Sequence, residues 1–109
     1  MITSIQIDTI AAMPYQIEQT EAFARWRAAL SDRQAIAAIR RRLERASAGN
    51  LGDVKTIRDG VSEMRVDIGK GYRLYFTRRG QAVILLLAGG DKSTQDADIK
   101  RAIAMLKEL

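Results

Sequence analysis

Five residues able to do chemistry recur at every second position in two short segments: Glu63, Arg65 and Asp67, then Arg73 and Tyr75. Alternate residues of a strand share one face, so this spacing predicts one surface carrying two arginines, a tyrosine and two carboxylates. Arginine forks match phosphate oxygens in bidentate geometry and can stabilise the extra charge of a phosphoryl transition state. A tyrosine beside them can stack or hydrogen-bond. Phosphodiester binding is the chemistry such a group would support. The competing reading is the wet side of an antiparallel sheet, solubilised by cross-strand charge pairs.

Composition narrows what other chemistry is open. The 109 residues include 18 Lys and Arg against 13 Asp and Glu, a net charge of +5, and no cysteine or histidine. Without cysteine there is no disulfide scaffold, thiolate metal site or thiol nucleophile. Without histidine there is no Ser-His-Asp triad, no imidazole metal site and no ordinary neutral-pH proton shuttle. Carboxylates, lysine, arginine, tyrosine and hydroxyls remain. Thirteen of the basic residues are arginine. That excess fits either a polyanionic partner or a solvated basic surface. Asp91-Lys92-Ser93 looks like the end of a phosphate loop, but the glycine required before the lysine is absent. Gly69-Lys70-Gly71 joins two strands and opens no helix, so it is no dinucleotide fingerprint. The acidic residues show no metal-ligand spacing, and no cofactor is expected.

The elements that must position these residues follow from periodicity. Tyr15–Gln19 alternates as a short strand. Thr20 is placed to cap a helix whose stripe is Phe23, Trp26 and Leu30. Trp26 reads as a core aromatic or a stacking platform. Ser31 and Asp32 mark a break and a new cap. The second helix runs to about Ala48 with Ile36, Ile39 and Leu43 buried, Arg33, Arg40, Arg41, Arg42 and Arg45 around them, and a stop at Gly49-Asn50. Two helices so close in sequence are expected to form an antiparallel hairpin. Strands are then predicted at Val54–Arg58, Val61–Ile68, Tyr72–Thr77 and Ala82–Ala88, the last apolar enough to be covered on both faces. Ser93 or Thr94 caps a final helix lined by Ile99, Ile103 and Leu106, with Ala102 and Leu109. A three-residue loop at Gly69–Gly71 would set Ile68 opposite Tyr72, Asp67 opposite Arg73, Arg65 opposite Tyr75 and Glu63 opposite Thr77.

The expected architecture is α+β: an N-terminal helical hairpin and a C-terminal helix packed on one face of a twisted, mainly antiparallel sheet of 4–5 strands. No apolar run approaches the ~20 residues needed to cross a bilayer, and no signal peptide is evident. Residues 1–12 read as an N-terminal extension ahead of a single domain, 13–109. Met13 is an alternative start, and Ile5, Ile7 and Ile10 could instead form an extra strand.

Five blocks resemble the RelE/ParE superfamily of bacterial toxins, most closely the HigB-like addiction module killer protein branch. They are Glu21-Ala-Phe-Ala-Arg-Trp26, Gly49-Asn-Leu-Gly-Asp-Val-Lys55, Gly60-Val-Ser-Glu-Met-Arg65, Gly71-Tyr-Arg-Leu-Tyr-Phe76 and Leu86-Leu-Ala-Gly-Gly-Asp-Lys-Ser-Thr-Gln95. The resemblance spans Tyr15 to Leu109. It implies a RelE-like fold and the toxin of a type II toxin–antitoxin system, a ribosome-dependent, metal-independent endoribonuclease that cuts mRNA by 2′-hydroxyl attack. By position, Arg73 matches the family's strand arginine and Arg65 the arginine of its Glu-x-Arg motif, with Tyr75 nearby. Lys55 falls in the strand carrying a catalytic group in relatives, and Lys92 in the C-terminal region where others carry histidine or tyrosine. These five are the catalytic candidates. Arg40, Arg41, Arg45 and Asp91 are the candidate RNA-binding residues. The departure is the missing histidine, which leaves acid–base work to Lys55 or Lys92. The implied partners are the ribosome, mRNA and a cognate antitoxin, a helix-turn-helix protein from the adjacent gene. Operator DNA is met only through the antitoxin complex; no membrane is involved, and the location is cytoplasmic. Two alternatives stand beside this: a gyrase-targeting ParE-like toxin, and a catalytically weak toxin acting as an antitoxin-binding co-repressor.

Overall fold

The computed structural model describes residues 2–4 and 15–109. The readings of Met13 and of Ile5, Ile7 and Ile10 lie outside those residues. Two strands, β1 (Ile2–Ser4) and β2 (Gln16–Thr20), precede helices α1 (Glu21–Ala28) and α2 (Arg33–Ser47). Strands β3 (Val54–Arg58), β4 (Val61–Val66), β5 (Tyr72–Arg79) and β6 (Val83–Asp91) follow, then a 3₁₀ turn at Lys92–Thr94 and helix α3 (Gln95–Lys107). They form a six-stranded mixed sheet in the order β1-β2-β6-β5-β4-β3. Among the described residues only the β2–β6 pairing is parallel.

The expected starts of α1 and α2 are set by side chains that satisfy free backbone groups, whereas Thr94 at the start of α3 makes no such bond. Thr20 caps α1, its hydroxyl accepting from Phe23 N at 3.1 Å and donating to Leu87 O at 2.7 Å. Asp32 caps α2 through Gln34 N and Ala35 N at 3.0 and 3.2 Å. Gly49, at φ 105°, ends α2 in the left-handed region that glycine tolerates.

Three expectations are corrected. The sheet has six strands, not 4–5, and the helical hairpin is not matched. The eight residues of α1 make barely two turns, and both helices bury their stripes on the sheet, α1 over β6 and β2, α2 over β4 and β2. The helices also do not share one face. One core joins α1 and α2 to Ile17, Met64, Val66, Leu74, Phe76, Ile84 and Leu86. A second, across the sheet, joins Ala102 and Ile103 of α3 to Val61, Tyr75, Leu85, Leu87 and Ala88. At the ends of the expected stripes, Ile36 and Leu109 are exposed.

Strand β4 stops at Val66, and Val66, not Ile68, faces Tyr72. The connection is therefore five residues, turned by Gly69 and Gly71 at φ 54° and 77°. The register moves by two positions, so every residue keeps its face but changes its partner. Strand β6 likewise runs through Gly89-Gly90 instead of ending at Ala88. A Cβ on Gly89 would lie 2.2 Å from the Trp26 ring, and one on Gly90 1.8 Å from Asp98 Oδ2. The two glycines let α1 and α3 approach opposite faces of the same strand. Trp26, partly buried, packs against the core between Phe23 and Tyr72, with ring centroids 5.6 and 6.4 Å away. Among the described residues no helix is long and apolar enough to cross a membrane.

Candidate functional site

Two cross-strand rows occupy the α3 side of the sheet. Lys55, Glu63, Tyr75 and Ala88 make one row across β3, β4, β5 and β6. In the next, Arg65 faces Arg73, which faces Gly90. Asp53 flanks this row: its carbonyl accepts from Arg65 N at 3.0 Å, and its carboxylate lies 3.1 Å from Arg65 Nη2. A bulge between Tyr75 and Phe76 in the β5–β6 register keeps Leu87 and Ala88 on the same side. Small residues at 88 and 90 then leave room for the first turn of α3.

Directly opposed arginines repel, and such pairs are normally destabilising. Here an acid sits behind them. Glu63 Oε1 lies 4.0 Å from Arg65 Nε and 3.9 Å from Arg73 Nε, and its side chain is 3% exposed. Its other oxygen accepts from Gln95 Nε2 at 3.0 Å, which ties α3 to β4. Arg73 is 5% exposed, and its Nη1 donates to Tyr72 O and Asp67 Oδ1, both at 3.0 Å. Both Nε atoms and the Tyr75 hydroxyl are buried without a hydrogen-bond partner.

The nine sequence candidates divide. Arg65, Arg73, Lys55 and Tyr75 share one face. Lys55 is exposed on the rim of a groove of about 310 Å³ whose walls include Glu63, Gln95 and Asp96. Tyr75 is fully buried under α3. Burial, then the charges of Glu63 and Asp98, push its phenol well above the usual range. Lys92 is exposed, its aliphatic chain lying across Gly71 at the head of β5. Asp91 stands apart in a cleft with Trp26, Asp32, Lys70 and Tyr72. Hydrogen bonds from Ser93 hold its carboxyl below the usual range.

The α2 arginines also divide. Arg40, Arg41 and Arg45 are exposed. Arg40 adds its charge to burial in lowering the pKa of Arg27. Arg41 and Arg45 line a groove of about 230 Å³ that ends at Asp67, the residue paired with Arg73. Arg42 is structural. Its guanidinium donates to the carbonyls of Arg65, Leu51 and Asp53, the last two at 3.1 and 3.3 Å. Gly52, at φ 69°, has no Cβ to meet that guanidinium. Burial lowers the Arg42 pKa.

Sequence reasoning missed Asp53 and Gln95 as parts of this site. Asp53 falls just before a strand, where its pairing depends on register. The usable signal for α3 was β6 itself, because a strand apolar on both sides needs cover on both. The assembled group can hold an anion with two guanidinium forks and a nearby lysine. Among the described residues no group of three or more acidic residues is arranged for a metal ion.

No protein-family model matches the chain, and no solved structure matches it. With 44% identity over 97 residues, covering 89% of this chain and 98% of its relative, the chain belongs to one family with an uncharacterized protein of Haemophilus influenzae.

Proposed function

We propose that this protein is the toxin of a type II toxin–antitoxin module of the RelE/ParE superfamily, HigB-like branch, acting in the cytoplasm as a ribosome-dependent, metal-independent mRNA endoribonuclease. The observation that carries the reading is the directly opposed Arg65–Arg73 pair, backed by buried Glu63. Two cations kept side by side by a buried acid are suited to the two non-bridging oxygens of a phosphodiester. They are also suited to the further charge that develops when the 2′-hydroxyl attacks. Lys55, in the adjoining row, is the accessible candidate for moving the proton. Arg41 and Arg45, around the sheet end, extend the basic surface along which an RNA backbone can run. A cognate helix-turn-helix antitoxin would neutralise the activity, with operator DNA reached only through that complex.

One observation favours a second reading. Tyr75 is fully buried and Lys92 lies at the head of β5, so of the five catalytic candidates only Lys55 is an accessible acid–base group beside the arginines. A chain that binds RNA phosphate but cleaves slowly would act mainly as an antitoxin-binding co-repressor. Induction of the chain in a bacterial host, followed by primer-extension mapping of mRNA, tests the assignment. Cuts within translated codons that vanish in Arg65→Ala support the nuclease. Uncut transcripts with DNA damage indicate gyrase, and growth without arrest indicates the co-repressor.

A further inference from the structure

The acids around the arginine pair differ sharply in exposure. Glu63, behind the pair, is 3% exposed. In front, Asp53 and Asp67 are 50% and 60% exposed, and each occupies one arginine, Asp53 on Arg65 at 3.1 Å and Asp67 on Arg73 at 3.0 Å. Both lie outside the strands, Asp53 just before β3 and Asp67 in the β4–β5 connection. Exposed carboxylates of this kind gain little from pairing, because water and salt compete for both partners.

Arg73 is held at its guanidinium and Arg65 at its backbone. Arg73 is held by the Tyr72 carbonyl and backed by Glu63, and the carbonyl of Arg65 is tied to Arg42. A carboxylate and a phosphodiester each offer two oxygens to a guanidinium fork, so one can take the other's place. Once displaced, Asp67 is not stranded, because it also borders the groove lined by Arg41, Arg42 and Arg45.

We propose that Asp53 and Asp67 are exchangeable occupants of the phosphate seats on Arg65 and Arg73, leaving when an RNA phosphodiester binds. The proposal rests on the RNA reading for its ligand and on the geometry for the exchange. Together with Glu63 the two carboxylates outnumber the arginines in the free protein, so the clamp shows excess positive charge only once they leave. A weakly held anion must outcompete them, which favours a polyanion that also engages α2 over a free small anion.

Binding to the full chain would be measured by calorimetry with two probes, a mixed-sequence single-stranded RNA and inorganic phosphate. Asp67→Asn and Asp53→Asn keep shape and a neutral acceptor. Glu108→Gln, at the far end of α3, raises net charge by the same amount away from the site. The exchange predicts that each Asp→Asn variant binds roughly fivefold or more tightly than Glu108→Gln at low salt. Equal affinity among the three variants overturns it, and RNA binding by all three would then leave the RNA reading standing. A gain with phosphate while no variant binds RNA supports the exchange and sinks the RNA reading. Thermal melts establish folding, and Asp53→Asn, between two partly exposed partners, carries the test if Asp67→Asn is unstable.

Discussion

Arg65 and Arg73 oppose each other directly across β4 and β5, at the separation where like charges repel most. The sheet tolerates them because Glu63 lies within 4.0 Å of both Nε atoms and is itself anchored to α3 through Gln95. Their roles are unequal: Arg73 is nearly buried, whereas the Arg65 side chain is 37% exposed.

That inequality separates two substitutions. Arg73→Ala removes the buried one of the two counter-charges on Glu63 and should cost about 1–3 kcal/mol of stability. Arg65→Ala should cost under about 1 kcal/mol, because its partner Asp53 is exposed. Both should lower cleavage by ~10²–10³-fold if they hold the transition-state charge. Thermal melts and primer extension on the same preparations check both. Full activity in Arg65→Ala would remove the pair from the mechanism.

Tyr75→Phe should retain cleavage within about twofold, since the ring is sealed under α3 and cannot act on RNA from there. Deleting a buried hydroxyl without a partner should leave stability near neutral pH unchanged or slightly raised. The pH dependence has a definite sign. The folded protein keeps the Tyr75 proton at pH values where the unfolded chain, with an ordinary phenol near 10, has lost it. The folded state then binds more protons, and stability falls as pH rises through about 10. Tyr75→Phe should flatten that fall in denaturant melts between pH 8 and about 11. An unchanged slope would contradict the burial argument.

Neighbouring arginines on α2 should behave differently. Arg42→Ala removes a guanidinium donor from three carbonyls, of which Asp53 O keeps Arg65 N, and should destabilise by roughly 2 kcal/mol. Arg41→Ala and Arg45→Ala, both exposed, should stay within about 0.5 kcal/mol of the parent. Each should reduce the salt dependence of RNA binding by about one counterion. Anisotropy titrations over a salt series measure this, and an unchanged slope removes α2 from the interface.

Gly89→Ala places a methyl 2.2 Å from the Trp26 ring, deep between β6 and α1. Overpacking of this kind should cost about 1–3 kcal/mol or more and lower the melting temperature. Trp26→Leu in the same background should recover part of the loss, because the clash is with the indole. Failure of that rescue would place the strain elsewhere.

Much of this was legible in the sequence. Alternation assigned Glu63, Arg65, Arg73 and Tyr75 to one face, because side-chain direction in a strand depends only on parity. Thr20, Asp32 and Gly49 marked helix ends through local hydrogen bonds and backbone angles. Parity is blind to a shift of two, however, so only the five-residue turn at Gly69 and Gly71 decided that Arg65 meets Arg73. Exposure also lay beyond local pattern. Tyr75 is buried because a helix that starts 20 residues further along crosses its face, and that helix docks closely because Ala88 and Gly90 present almost no side chain there. Residue types and faces are short-range properties of the chain, and one sequence determined them. Which charges meet, which are sealed and which remain open to a ligand are set by contacts distant in sequence, and only the tertiary structure decided them.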